Sequence, residues 1–244
     1  MRWRVVWILS KKELRGYFNS MVAYIFVVLF LGFCGFFTWL YGADVFYLRQ
    51  VTLETFFNFG VYWSFLFLVP MLTMRTFSEE HKTGTIEFIL TKPVQEFQLV
   101  ISKYLGCILA ILIFTIPTVI YVISLIYLGK PDGGPIIGGY IALLMLASLY
   151  TAIGIFGSSL TENQVVAFLL SIFIIAIIHI LLPLLARNAT GLIGGLMDYL
   201  GVESHYSMLA KGVIDLRDII YFLTGTGIFL LGAEYSLIRR NIKW

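Results

Sequence analysis

Residues 136–186 read IIGGYIALLMLASLYTAIGIFGSSLTENQVVAFLLSIFIIAIIHILLPLLA. An apolar run from Ile136 to Leu160 meets a second from Val165 to Ala186 across the polar turn Thr161-Glu162-Asn163-Gln164. About 20 consecutive apolar residues suffice for an α-helix to cross a bilayer. Lipid offers nothing to an open backbone amide or carbonyl, so such runs must be helical. Two spans joined by one short turn are antiparallel neighbours. This hairpin sets the fold class.

The same pattern recurs outward in both directions. Further runs lie at about 21–41, 56–76, 104–128 and 218–237, giving six spans. The 244 residues are 59% hydrophobic and 13% charged, with a mean hydropathy of +0.91, against roughly a quarter charged in soluble domains. Water is therefore not the main solvent. The expected fold is an all-α integral membrane domain over residues 1–244, with no separate soluble domain. Basic residues followed by an apolar run open the chain, but a small-x-small cleavage site is lacking. Bulky Phe33 before Cys34 likewise argues against lipoprotein processing, so 1–244 is expected as the mature chain.

Between the spans, three segments have character of their own. Residues 2–18 place Trp3, Val6, Trp7 and Leu14 at helical spacing beside Arg4, Lys11, Lys12 and Arg15. That is the pattern of a basic amphipathic helix lying on a membrane. Residues 187–217 hold apolar patches broken by Gly191, Gly194, Gly195, Gly201 and Gly212. They are too interrupted to span and are expected as shallow or re-entrant helices. Residues 75–103 carry the longest charged stretch.

Lysine and arginine accumulate on the cytoplasmic side of membrane proteins. The N-terminal helix has five, the 75–103 segment four and the C-terminal tail three, twelve in all. The opposite side has five: Arg49, Lys130, Arg187, Lys211 and Arg217. Both termini are thus expected in the cytoplasm. The net charge of +3 forms no basic stripe that would suit nucleic acid.

Arg75 to Pro93 reads RTFSEEHKTGTIEFILTKP. Ser78 is placed to cap a helix whose first turn holds Glu79 and Glu80, and Gly84 to end it. Ile86, Ile89 and Leu90 form an apolar edge at helical spacing, and Pro93 opens the helix leading to the third span. A short helix fixed to two spans turns a partner's motion into span motion. An ordinary solvated loop is the competing reading.

The run EEHKTGTIEFILTKPV at 79–94, followed by Lys103-Tyr104-Leu105, resembles the E-E-[RK]-K-x-G-T-[IL]-E-x-L-L-[TS]-x-P signature of type-2 ABC transporter permeases. His81 stands where that family usually has arginine. KKELRGYF at 11–18, SSLTENQ at 158–164 and GVIDLRD at 212–218 resemble the gliding-motility-associated branch known from Bacteroidetes. The resemblance implies an elbow helix at 2–18, a coupling helix at 78–91, re-entrant helices before the last span, and a bacterial inner-membrane location. It also implies that Glu79, Glu80, Gly84, Thr85 and Glu87 meet a separate ATPase, with Glu162 as a smaller second contact. Two ATPase copies, a second permease copy or related permease, and a periplasmic or membrane accessory subunit are the partners it brings.

No catalytic residue is expected here. A phosphate-binding loop needs G-x-x-x-x-G-K-[ST], and the nearest match, Gly133 to Gly138, continues into Gly139-Tyr140. ATP and magnesium are accordingly expected on the partner, with no cofactor or metal on this chain. Cys34 and Cys107 lack ligand spacing and read as small core residues. Within the spans there is no Ser/His/Asp, H-E-x-x-H or paired-carboxylate arrangement, and buried acids for ion coupling are wanting. An exporter and a motion-transmitting membrane module remain as the two functions.

Ionisable groups inside spans mark functional candidates, here chiefly His179 and Glu234. Glu234 is expected to pair with Arg239 or Arg240 near the membrane surface. His179, one turn before Pro183, is either a pathway residue or a neutral, hydrogen-bonded one. Pro70, Pro117 and Pro183 are candidate kinks, and Tyr62 and Trp63 are expected in an interfacial aromatic belt.

Overall fold

The computed structural model describes residues 3–41, 51–85 and 95–241. They form helices without strands. Six of these helical stretches are long and apolar enough to cross a membrane: Met21–Trp39, Phe56–Lys82, Glu96–Leu128, Gly133–Ser159, Gln164–Asn188 and Leu216–Arg239. Before the first comes α1 (Trp3–Phe18). The helix stops at Asn19 and Ser20, and the Ser20 hydroxyl caps α2 (Met21–Trp39) by accepting from the Val22 amide at 3.3 Å.

The second span begins with a π-helical segment, Phe56–Val61, continues as α3 (Tyr62–Thr73), and ends in the short helix α4 (Ser78–Lys82). The third runs through α5 (Glu96–Thr115), a 3₁₀ turn at Ile116–Thr118, and α6 (Val119–Leu128). Pro117 sits in that turn, as loss of its amide hydrogen bond requires. Pro70 lies inside continuous α-helix. Its span is interrupted instead at Phe56–Val61, where an extra residue per turn rather than a proline alters the ladder.

Helix α7 (Gly133–Ser159) is the central post, packed against α3, α5, α8, α11 and α12. Asp132 caps it by accepting from the Gly134 amide at 3.0 Å. Ala142, Ala147, Ala152, Gly154, Gly157 and Ser158 are among its buried positions, and small residues let helix backbones approach closely where lipid supplies no hydrophobic drive. In the turn that follows, Asn163 accepts from the Val165 amide at 2.9 Å and so starts α8 (Gln164–Ala176). A second π segment, Ile177–Leu181, then leads into α9 (Leu182–Asn188).

Residues beyond α9 make two short helices of opposite character. Helix α10 (Gly191–Leu200) exposes Leu192, Ile193 and Leu196. Helix α11 (Val202–Ala210) buries Val202, Tyr206 and Leu209 against α7, and the Tyr206 hydroxyl donates to the Phe57 carbonyl at 2.8 Å. The last helix, α12 (Leu216–Asn241), returns along α7. Six alternating crossings place α1 and the end of α12 at the same end of the bundle.

Candidate functional site

The site at that end is built around Lys103. Helix α5 begins at Glu96, so Lys103 lies two turns inside it. Its side chain is 1% exposed. A buried ammonium must satisfy its donors, and here three acceptors come from three directions. Glu80 Oε1 lies at 2.8 Å, the Thr76 carbonyl at 2.7 Å and Glu13 Oε1 at 3.3 Å. The Phe77 ring lies beneath the same ammonium, 5.0 Å from its centroid.

One cation thereby joins α1, the foot of the second span and the third span. Helix α1 can lie this close because position 106 is glycine: a Cβ there would come within 2.7 Å of Glu13 Cβ. One turn further, Tyr17 Oη and Cys107 Sγ are 2.6 Å apart. Burial, and then the neighbouring thiol, holds the Tyr17 phenol well above its ordinary range, so it sits there as a neutral group. The outer face of α1 exposes Trp3 and Trp7, with Lys11 over the Trp7 ring.

Ser78 does not cap its helix. It is fully buried, and its hydroxyl donates back to the Met74 carbonyl. The cap comes from Ser158 of α7, whose hydroxyl accepts from the Phe77 and Ser78 amides at 2.9 and 3.0 Å and donates to the Met74 carbonyl at 3.0 Å. A residue 80 positions away does what a local pattern assigned to Ser78. Gly84 does end the turn, with φ of 69°, a left-handed conformation that glycine adopts at little cost.

The acidic residues of this segment divide. Glu79, Gly84 and Thr85 are exposed, whereas Glu80 turns inward to Lys103 with only Oε1 paired, Oε2 being buried without a hydrogen-bond partner among the described residues. Glu162 is exposed in the turn before α8, which itself touches α4. Glu87, with Ile86, Ile89, Leu90 and Pro93, lies outside the described residues. Near the far end of α12, Glu234 is half-buried and makes no ion pair with Arg239 among the described side chains.

At the opposite end, His179 is 2% exposed within the second π segment. Its ring stacks on Tyr62 with centroids 3.8 Å apart and meets Trp63 edge-on at 5.2 Å. Tyr62 therefore belongs to the interior and not to a surface belt. His179 Nδ1 is 2.5 Å from Tyr150 Oη. The sequence singles out His179 but not Tyr150, one of three aromatic residues in α7 with nothing local to set it apart. For Lys103 the signal existed: a lysine followed by a long apolar run calls for carboxylates.

A family model described as "ABC-2 family transporter protein" matches residues 45–236. A comparison with curated proteins gave no significant match.

Proposed function

The chain belongs to the ABC-2 transporter family, and on that premise we propose that this permease subunit is driven by a separate ATPase docking at the end that carries α1 and α4. The observation that supports it is the buried Lys103 held at once by Glu13 and Glu80. Exposed Glu79, Thr85 and Glu162 offer the ATPase an acidic face on which basic partner groups fit. Glu80 is the relay and not the contact. A push on α4 reaches α5 through the Glu80 carboxylate and α1 through Glu13.

In this reading both termini and α4 face the cytoplasm of a bacterial inner membrane, the ATPase binds ATP and magnesium, and two permeases assemble with two ATPases. Charge reversal at Glu79→Lys with Glu162→Lys tests the docking face. Copurification of the ATPase should fall by about tenfold or more, the scale of one buried interfacial charge pair, while membrane insertion is retained. Undiminished copurification would remove these residues from the interface.

The exposed apolar face of α10, with Leu192 80% and Ile193 60% exposed, supports a second reading. There the module transmits motion to a periplasmic or membrane accessory subunit, and the likenesses at 11–18, 158–164 and 212–218 to the gliding-motility-associated branch belong to it. Reconstitution in liposomes separates the two: ATP-dependent movement of lipid, peptide or glycan favours export, and brisk ATP turnover with nothing moved favours transmission.

A further inference from the structure

His179 Nε2 is buried and has no hydrogen-bond partner among the described residues. Its tautomer follows from Tyr150, whose buried hydroxyl has Nδ1 as its hydrogen-bond partner. Were Nδ1 the donor, the phenolic hydrogen would be buried without an acceptor, and Nε2 would be an orphan too. With Tyr150 donating, only the Nε2 hydrogen is left over. That hydrogen calls for an acceptor that the described residues do not provide.

His179 lines a cavity of about 510 Å³ between the second and fifth spans and α11. The floor is aromatic, with Tyr62, Trp63 and Tyr206. Its rim carries Arg187 and Glu203, which pair with each other, and also Glu54 and Lys211, both exposed and outside any ion pair among the described residues. Phe59 and Trp63 are shared with a second hollow of about 520 Å³, an apolar groove between the first and second spans that Phe33, Phe37 and Phe67 line. A polar-rimmed chamber thus adjoins an apolar channel through one aromatic wall. Both volumes suit small-molecule ligands.

We propose that this pair of hollows binds one zwitterionic phospholipid, its ester or phosphate oxygen accepting from His179 Nε2 and one acyl chain lying in the Phe33–Phe37–Phe67 groove. Lys211 faces the phosphate and Glu54 the ammonium. The fit rests on three features brought together here: a buried unmet donor, rim charges of both signs, and a contiguous apolar slot. The site is formed by a single chain and needs neither nucleotide nor ATPase.

The test uses the full chain in nanodiscs with a phosphatidylethanolamine bearing a diazirine in one acyl chain. Photolabelling is expected to concentrate on the first and second spans around Phe33 and Phe67. His179→Phe, made in a Tyr150→Phe background so that no buried phenol loses its acceptor, keeps the stacked ring but removes the donor, and should lower the labelling affinity by about five- to tenfold, the scale of one hydrogen bond. Leu29→Trp, at an exposed position beside the groove, narrows it without touching the core and should also lower the yield. Unlabelled lysophosphatidylethanolamine should compete, and inorganic phosphate should not. Labelling spread evenly over outward apolar faces such as Val28 and Phe173, yields unchanged by both variants, or equal labelling by the phosphatidylglycerol analogue would overturn the proposal. None of these results bears on ATPase docking.

Discussion

At the scale of single residues, several polar atoms buried at the end of the bundle that carries α1 and α4 are satisfied by residues far away in sequence. Ser158 is the sharpest case, since one hydroxyl serves two amides and a carbonyl of the turn at 74–78. Ser158→Ala leaves two buried N–H groups without an acceptor. A loss of about 1–3 kcal/mol is expected, seen as a lowered thermal unfolding midpoint in detergent, and an unchanged midpoint would show the cap to be dispensable. This residue illustrates what the sequence withholds. Ser78 before two glutamates matches the local capping pattern, yet burial takes its hydroxyl to the Met74 carbonyl and a serine from α7 fills the place. Lys103 was visible as a basic residue at the head of an apolar run; that Glu13 of α1 and Glu80 of α4 both reach it was not.

Among the elements, hydropathy and turn chemistry carried far. Asn163 and Asp132 cap the helices that follow them, and the polar turn at 161–164 does separate two antiparallel spans. Proline was a poorer guide: Pro117 marks a break, while Pro70 does not, and the π segment at Phe56–Val61 contains no proline at all. An inserted residue in one turn leaves hydropathy unchanged, so such segments are silent in sequence. Packing of α1 on α5 was silent as well, because it depends on the absence of a side chain at Gly106. Gly106→Leu places bulk against Glu13 and is expected to cost about 1–3 kcal/mol by overpacking. Gly16→Leu, with open space around its position, should cost nothing by the same thermal measurement. Equal effects from the two would dissociate Gly106 from the helix contact.

For the molecule as a whole, the count and alternation of spans follow from composition, and the family from a motif that the charged segment displays. The expectation that both termini are cytoplasmic rests only on the bias of twelve basic residues against five. Cys34 and Cys107 are both buried, so a single introduced cysteine reports its own side: Glu79→Cys should react with an impermeant maleimide only in inverted vesicles, and Lys211→Cys only in right-side-out ones. Reversed labelling would invert the topology. Under the proposed function, a single buried ammonium makes α1, α4 and α5 move as one body under load from a separate ATPase. The most direct test of this is ATPase stimulation in the reconstituted complex carrying Lys103→Met with Glu13→Gln and Glu80→Gln, a combination that leaves no buried charge unpaired and so avoids the roughly 3–5 kcal/mol penalty of removing the lysine alone. Normal assembly with stimulation lost is the predicted result; normal assembly with stimulation intact would contradict it.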